Sequence, residues 1–255
     1  MAEEEPPHQY SRAELETRAE QLAPCIEENR EEVSKWYADG ICTKVHGDVL
    51  TNIQSWVSRP TSKLLWVEAT ALRSIISSTA FGISQMLTDA GIPCISFFPK
   101  RRSRRGLSSL LYSIITQLIK MAPDDFEADV SFEEEDFAKL DGTVESAERA
   151  LEMIRELLTV APTKVFFVID RIELCELRES RRYVRLLIEI LREQARKTVV
   201  KGLFTTAGET RIMLSLFGKG VEAKGMTRRL SRRMQPGFVD LSSLSLADAR
   251  PSNKC

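Results

Sequence analysis

The stretch Lys63–Phe98, KLLWVEATALRSIISSTAFGISQMLTDAGIPCISFF, constrains the fold more than any other part of the chain. Leu64–Val67 is an apolar run of strand length, and a short turn follows at Glu68–Thr70. Leu72, Ile75, Ile76, Thr79, Ile83, Met86 and Leu87 then recur at helical spacing on one face. Gly91 and Pro93 break that helix, and Cys94–Phe98 reads as a second buried strand. Strand, tight turn, helix and parallel strand form the opening unit of a nucleotide-binding α/β domain.

The turn is where a phosphate would sit. In a phosphate-binding loop, glycines let successive backbone N–H groups face the phosphate and a lysine reaches its β and γ oxygens. Here the turn reads Ala69-Thr70-Ala71-Leu72-Arg73-Ser74-Ile75-Ile76. No lysine occurs between Lys63 and Lys100, and the glycines between them, Gly82 and Gly91, come too late. Losing the lysine and two or three amide contacts costs about 5 kcal/mol, roughly a thousandfold or more in affinity. Arg73 and Ser74 recover a small part of that. The plain reading is a helix start that binds nothing.

The totals exclude several other classes. The 255 residues are 43% hydrophobic, enough for one sizeable core, and the net charge of −1 supplies no global field toward nucleic acid or membrane. Cys25, Cys42, Cys94, Cys175 and Cys255 are scattered without a CxxC pair, and the two histidines, His8 and His46, stand at no metal spacing. Cys94 and Cys175, in or beside apolar runs, read as small core residues in a reducing compartment. The acidic start MAEEEPP has no apolar core and no run reaches membrane-span length, so the expectation is a soluble, cytoplasmic protein.

Residues 1–32 hold ten Glu against three Arg and read either as a loose helix carrying Leu15, Leu22 and Ile26 or as a solvated arm. An amphipathic helix over 45–57 (Val49, Leu50, Ile53, Trp56, Val57) ends before Pro60. Trp56 and Trp66 are expected in the core. After the second strand, five of the six residues Lys100–Arg105 are basic, which suits phosphate or nucleic acid or simply a solvated loop. No aromatic residue is interleaved there, which disfavours base stacking.

Helices are expected over 107–120, 143–159, 180–197 and 211–217. Residues 124–136 contain eight acidic side chains and no basic one, the composition of a mobile surface loop. Residues 218–235 carry six basic residues against one Glu, a basic linker or a docking patch. Phe238–Leu241 reads as a fifth strand, and Ser242–Cys255 as a disordered end.

A second nucleotide-site signal lies at Lys164–Asp170, an apolar strand ending in aspartate. In phosphate-loop enzymes such a carboxylate holds the Mg²⁺ shell. Glu173 and Glu176 follow, in positions to orient a water. Val199–Thr206 reads as a fourth strand with Thr205 at its polar carboxyl end.

These runs resemble the NACHT-type, nephrocystin-like NTPase domain of signalling ATPases (STAND proteins), especially the fungal set. Ile53–Val57 with Leu64–Val67 is similar to that family's lead-in to its phosphate loop. Ile95–Phe98, Arg101-Arg102 and Leu107–Leu118 resemble its second strand and following helix, and Val165–Asp170 its Mg²⁺-binding strand. Lys201–Thr206 resembles its sensor strand and Phe238–Leu241 its fifth. The resemblance implies a nucleotide site at Ala69, Thr70, Arg73, Ser74, Ile75, Ile76, Asp170, Glu173 and Thr205, with Asp170 on the metal. Yet Ala69, Ser74, Ile75 and Ile76 stand where the family has Gly, Gly, Lys and Ser/Thr. Leu174 replaces its second acid, and Ala207 lies where an arginine often stands.

The expectation is therefore a three-layer P-loop NTPase-like α/β domain with a mainly parallel five-stranded sheet and helices on both faces. It spans residues 45–245, after an acidic helical arm (1–44) and before a disordered tail (246–255). The expected role is that of a pseudo-NTPase with no cofactor, ATP and Mg²⁺ entering only if the altered turn still binds. A protein partner is expected, a full-length STAND relative among the candidates, with nucleic acid disfavoured. The alternatives are a weak ATP/GTP binder, or an acidic-partner or nucleic-acid binder using the basic runs.

Overall fold

The computed structural model describes residues 8–39, 44–68, 73–208, 210–217 and 238–246. In chain order its strands are β1 (His8–Ser11), β2 (Lys44–His46), β3 (Lys63–Glu68), β4 (Cys94–Phe97), β5 (Asp125–Ala128), β6 (Lys164–Ile169), β7 (Val199–Thr206) and β8 (Phe238–Asp240). Its helices are α1 (Arg12–Ala19), α2 (Arg30–Ala38), α3 (Gly47–Ser58), α4 (Arg73–Asp89), α5 (Gly106–Ile119), α6 (Glu134–Ala138), α7 (Ala147–Val160), α8 (Arg181–Gln194) and α9 (Arg211–Phe217).

The four apolar runs pair as one parallel sheet in the order β3-β7-β6-β4. Both of its faces are covered, which is why these strands read as continuous apolar runs rather than alternating ones. Val165, Phe167 and Ile169 of β6 pack among residues of α1, α5, α7, α8 and α9. Phe166 and Val168 point the other way, into the layer of α3 and α4. The result is three layers, helix, sheet and helix, as expected. Trp56 and Trp66 are buried, one in each layer.

Among the described residues the sheet has four strands, not the expected five. Phe238–Asp240 does form a strand, but it pairs antiparallel with β2, Val45 opposite Val239. The residues after it explain this placement. Leu241 and Leu244 are buried in the cluster around α3 and α4, and the Ser245 amide donates to the Gln54 side chain at 2.7 Å. The chain is thereby held to α3 and away from the sheet. Leu244 is buried and Leu246 partly buried, so this stretch is not a loose tail; 247–255 and the basic run 218–235 lie outside the described residues.

The two acidic segments are also built in. β1 pairs antiparallel with β5, so each segment supplies one strand of a ribbon. The Tyr10 ring meets Phe132 edge-on at 5.4 Å, and its hydroxyl accepts from the Phe132 amide at 2.9 Å. Residues 124–136 are therefore not a mobile loop. They form β5 and begin α6, Phe132 and Phe137 are buried, and Asp136 is paired with Lys139 at 3.0 Å and Arg149 at 3.2 Å. Leu15 and Leu22 are fully buried against α5 and its neighbours.

Lys201, in the middle of β7, is buried completely. Its Nζ donates to the carbonyls of Trp56 (2.5 Å), Val57 (3.4 Å) and Arg59. These groups end α3, where carbonyls have no partner within the helix. Burial, reinforced by the charges of Lys164, Lys63 and Arg59, pushes the ammonium pKa down to about 8. Among the described residues no helix is long and apolar enough to cross a membrane.

If the acidic N-terminal segment is part of the core, Leu15→Ala should lower the unfolding free energy by roughly 2–4 kcal/mol in a urea titration. A change below about 0.5 kcal/mol would return the segment to the status of a surface arm.

Candidate functional site

Parallel pairing brings the carboxyl ends of β3, β6 and β7 together. Ile169 stands opposite Phe204, and Glu68 opposite Thr206. Asp170 follows β6 directly, and its amide donates to the Phe97 carbonyl at 2.9 Å. Its carboxyl is almost wholly buried and both oxygens are occupied. Thr205 Oγ1 donates to Oδ1 at 2.5 Å, and Ser77 Oγ donates to Oδ2 at 2.6 Å. Thr205 Oγ1 in turn accepts from the Arg171 amide at 2.9 Å. Burial raises the Asp170 pKa to about 6 against the two hydroxyls and the Arg171 charge, which oppose it, with Glu173 adding to the rise.

Arg171 has φ +48°, a left-handed conformation that costs a non-glycine residue about 1–2 kcal/mol. That turn folds the chain back as the 3-10 segment Ile172–Cys175. Glu173 Oε1 then accepts from Arg171 Nε at 3.3 Å and from the Ala207 amide at 3.2 Å. Glu173 Oε2 is buried and has no hydrogen-bond partner among the described residues, and burial raises this carboxyl too. Trp66 Nε1 donates to Thr206 Oγ1 at 2.9 Å and completes the floor.

Asp170, Glu173 and Thr205, singled out in the sequence, thus meet at one point. Ala69 and Thr70 lie outside the described residues, as do the side chains of Arg73 and Ser74, which open α4. Ile75 is half-buried and Ile76 buried. The hydroxyl that reaches Asp170 belongs to Ser77, one residue beyond the expected position. Its signal in the sequence is the hydroxyl run Ser74, Ser77, Ser78, Thr79 in an otherwise apolar helix. Thr79 bonds back to the Ile75 carbonyl at 2.9 Å, while Ser77 reaches across to β6.

A serine and a strand-terminal aspartate are the ligand types that hold Mg²⁺ in phosphate-loop enzymes. Phosphates need a cation as well. Among the described residues, Arg171 is turned onto Glu173, and Ile75 and Ile76 are apolar. Among the described residues no group of three His, Cys, Asp or Glu converges on a metal position.

The Nephrocystin 3, N-terminal family profile matches residues 40–206, more than half of the chain. The chain belongs to the nephrocystin 3 N-terminal family. No curated protein and no solved structure matches it. The nephrocystin-like region runs from just before β2 to the last residue of β7. It therefore contains Ser77, Asp170, Glu173 and Thr205, and leaves out β1, α1, α2, α9 and β8.

The Asp170 environment sets a pH dependence. Between its ordinary value of 3.8 and about 6, the folded state holds a proton that the unfolded chain has lost. Stability should therefore fall as pH rises through that window, by ~3 kcal/mol from this group. Asp170→Asn removes the effect. In urea unfolding at about pH 4 and about pH 7, the variant should gain ~3 kcal/mol relative to wild type between the two conditions. A constant difference would contradict the assignment.

Proposed function

We propose that this nephrocystin-like domain is a pseudo-NTPase of NACHT type, a relative of the STAND signalling ATPases that serves as an interaction or regulatory protein. The observation that supports this reading is the closed aspartate. The carboxyl that would carry a metal is wrapped by Ser77 and Thr205 and sits in surroundings that favour its neutral form. The sequence adds that no lysine stands between Lys63 and Lys100 to neutralise phosphates. The helix after the turn keeps an apolar face, Ile76, Ala80, Ile83 and Leu87 being buried, so this reading does not make folding depend on nucleotide. Cys25, Cys94 and Cys175 are free thiols, in keeping with a reducing, cytoplasmic setting.

A second reading, weak retention of ATP or GTP with Mg²⁺, is favoured by one observation, the Ser77–Asp170 pair itself. Calorimetry decides between the two. Titrating Mg²⁺-ATP or Mg²⁺-ADP into the full chain should give no heat of binding up to high micromolar nucleotide. Saturable heat that disappears in Asp170→Ala would overturn the pseudo-NTPase reading and establish the second.

A further inference from the structure

The turn that follows β4 presents an unusual charge arrangement. Lys100, Arg101, Arg102 and Arg104 are exposed, and none forms an ion pair with any described residue. The backbone beneath them is fixed. The Asn29 amide donates to the Phe98 carbonyl at 2.7 Å, and the Lys100 amide to the Glu27 carbonyl at 3.3 Å. The Ser103 amide closes the turn on the Lys100 carbonyl at 3.2 Å, and Ser103 Oγ accepts from the Arg105 amide at 2.9 Å. On the far side the turn runs into α5, whose Gly106 is so close to the next loop that a Cβ would lie 2.6 Å from the Leu174 carbonyl.

The backbone of Glu28 pairs with Pro99 at the edge of this turn, yet its carboxylate does not neutralise the turn. Glu28 is drawn inward to the Ser113 hydroxyl at 2.5 Å, and burial raises its pKa. Glu31 is taken by Lys35, and Glu32 accepts from the Asn29 side chain. Four like charges are held together on a turn fixed by backbone hydrogen bonds, and the carboxylate of the adjoining Glu28 is engaged by Ser113. A preorganised surface of this kind loses little conformational freedom when it binds, and guanidinium groups match carboxylates in a two-pronged geometry.

We infer that the Lys100–Arg104 turn is a docking surface for a short acidic segment of a partner protein. This rests on the interaction reading of the domain and names the surface and the chemistry of its partner. A protein segment fits better than nucleic acid. No aromatic side chain stands among the cations to stack on bases.

The test is fluorescence anisotropy of the full chain with a labelled peptide of alternating Glu and Gly. A labelled single strand and a short DNA duplex serve as competitors for the assignment. The peptide should bind at low salt and weaken about tenfold or more when salt rises beyond physiological strength. Arg101→Glu/Arg102→Glu, and separately Arg104→Glu, should weaken it about tenfold or more, with circular dichroism and the urea midpoint unchanged. Absence of peptide binding at low salt, unchanged binding in both variants, or tighter binding of either nucleic acid would overturn the proposal. None of these outcomes alters the nucleotide calorimetry, which alone decides the pseudo-NTPase reading.

Discussion

The carboxyl of Asp170 joins α4 and β7 at the end of β6. Its amide reaches back to β4, its two oxygens take hydroxyls from α4 and β7, and its own position ends β6. Each neutral hydrogen bond is worth about 1 kcal/mol net, and leaving such a buried group unpaired costs about 1–3 kcal/mol. The junction therefore holds because the network is complete. Burial favours the neutral acid, and a hydroxyl can donate or accept, so both contacts survive protonation. The start of α4, whose sequence lacks the phosphate-loop glycines and lysine, is tied to the sheet by the protein's own atoms.

That network also organises what lies around it. Thr205 passes its second interaction to the Arg171 amide, and the left-handed Arg171 sends the chain back so that Glu173 meets the end of β7. The same return loop lies against Gly106, where Cys175 Sγ approaches the Gly106 carbonyl at 3.2 Å. The loop that follows Asp170 is thus packed against the start of α5, just after the basic turn. Membership of the nephrocystin 3 N-terminal family covers both features, since the matched region runs through β7.

Much of this was legible in the sequence, for physical reasons. Strands buried on both faces announce themselves as unbroken apolar runs, so β3, β4, β6 and β7 were readable, as were helices with a regular apolar stripe such as α5 and α8. The ribbon of β1 and β5 was not. HQYS and DFEA carry little apolar signal, and their pairing is set by Tyr10 and Phe132, far apart in the chain. The destination of β8 depended on Leu241 and Leu244, which a run of serines conceals. Ser77 escaped notice because the residue that faces Asp170 depends on where α4 begins, and a one-residue shift moves a side chain by about 100° around a helix. Nothing local marks Lys201 as a cap. Its role follows from the end of α3 lying beside it.

The measurement that tests this account most directly is a double-mutant cycle between Ser77 and Asp170, read by urea unfolding at neutral pH. Ser77→Ala, Asp170→Ala and the double variant should give an interaction energy of roughly 1–3 kcal/mol, because each single change strands the other's buried group. Additivity within about 0.5 kcal/mol would mean that the two side chains are not coupled and that Asp170 does not clasp α4 to the sheet.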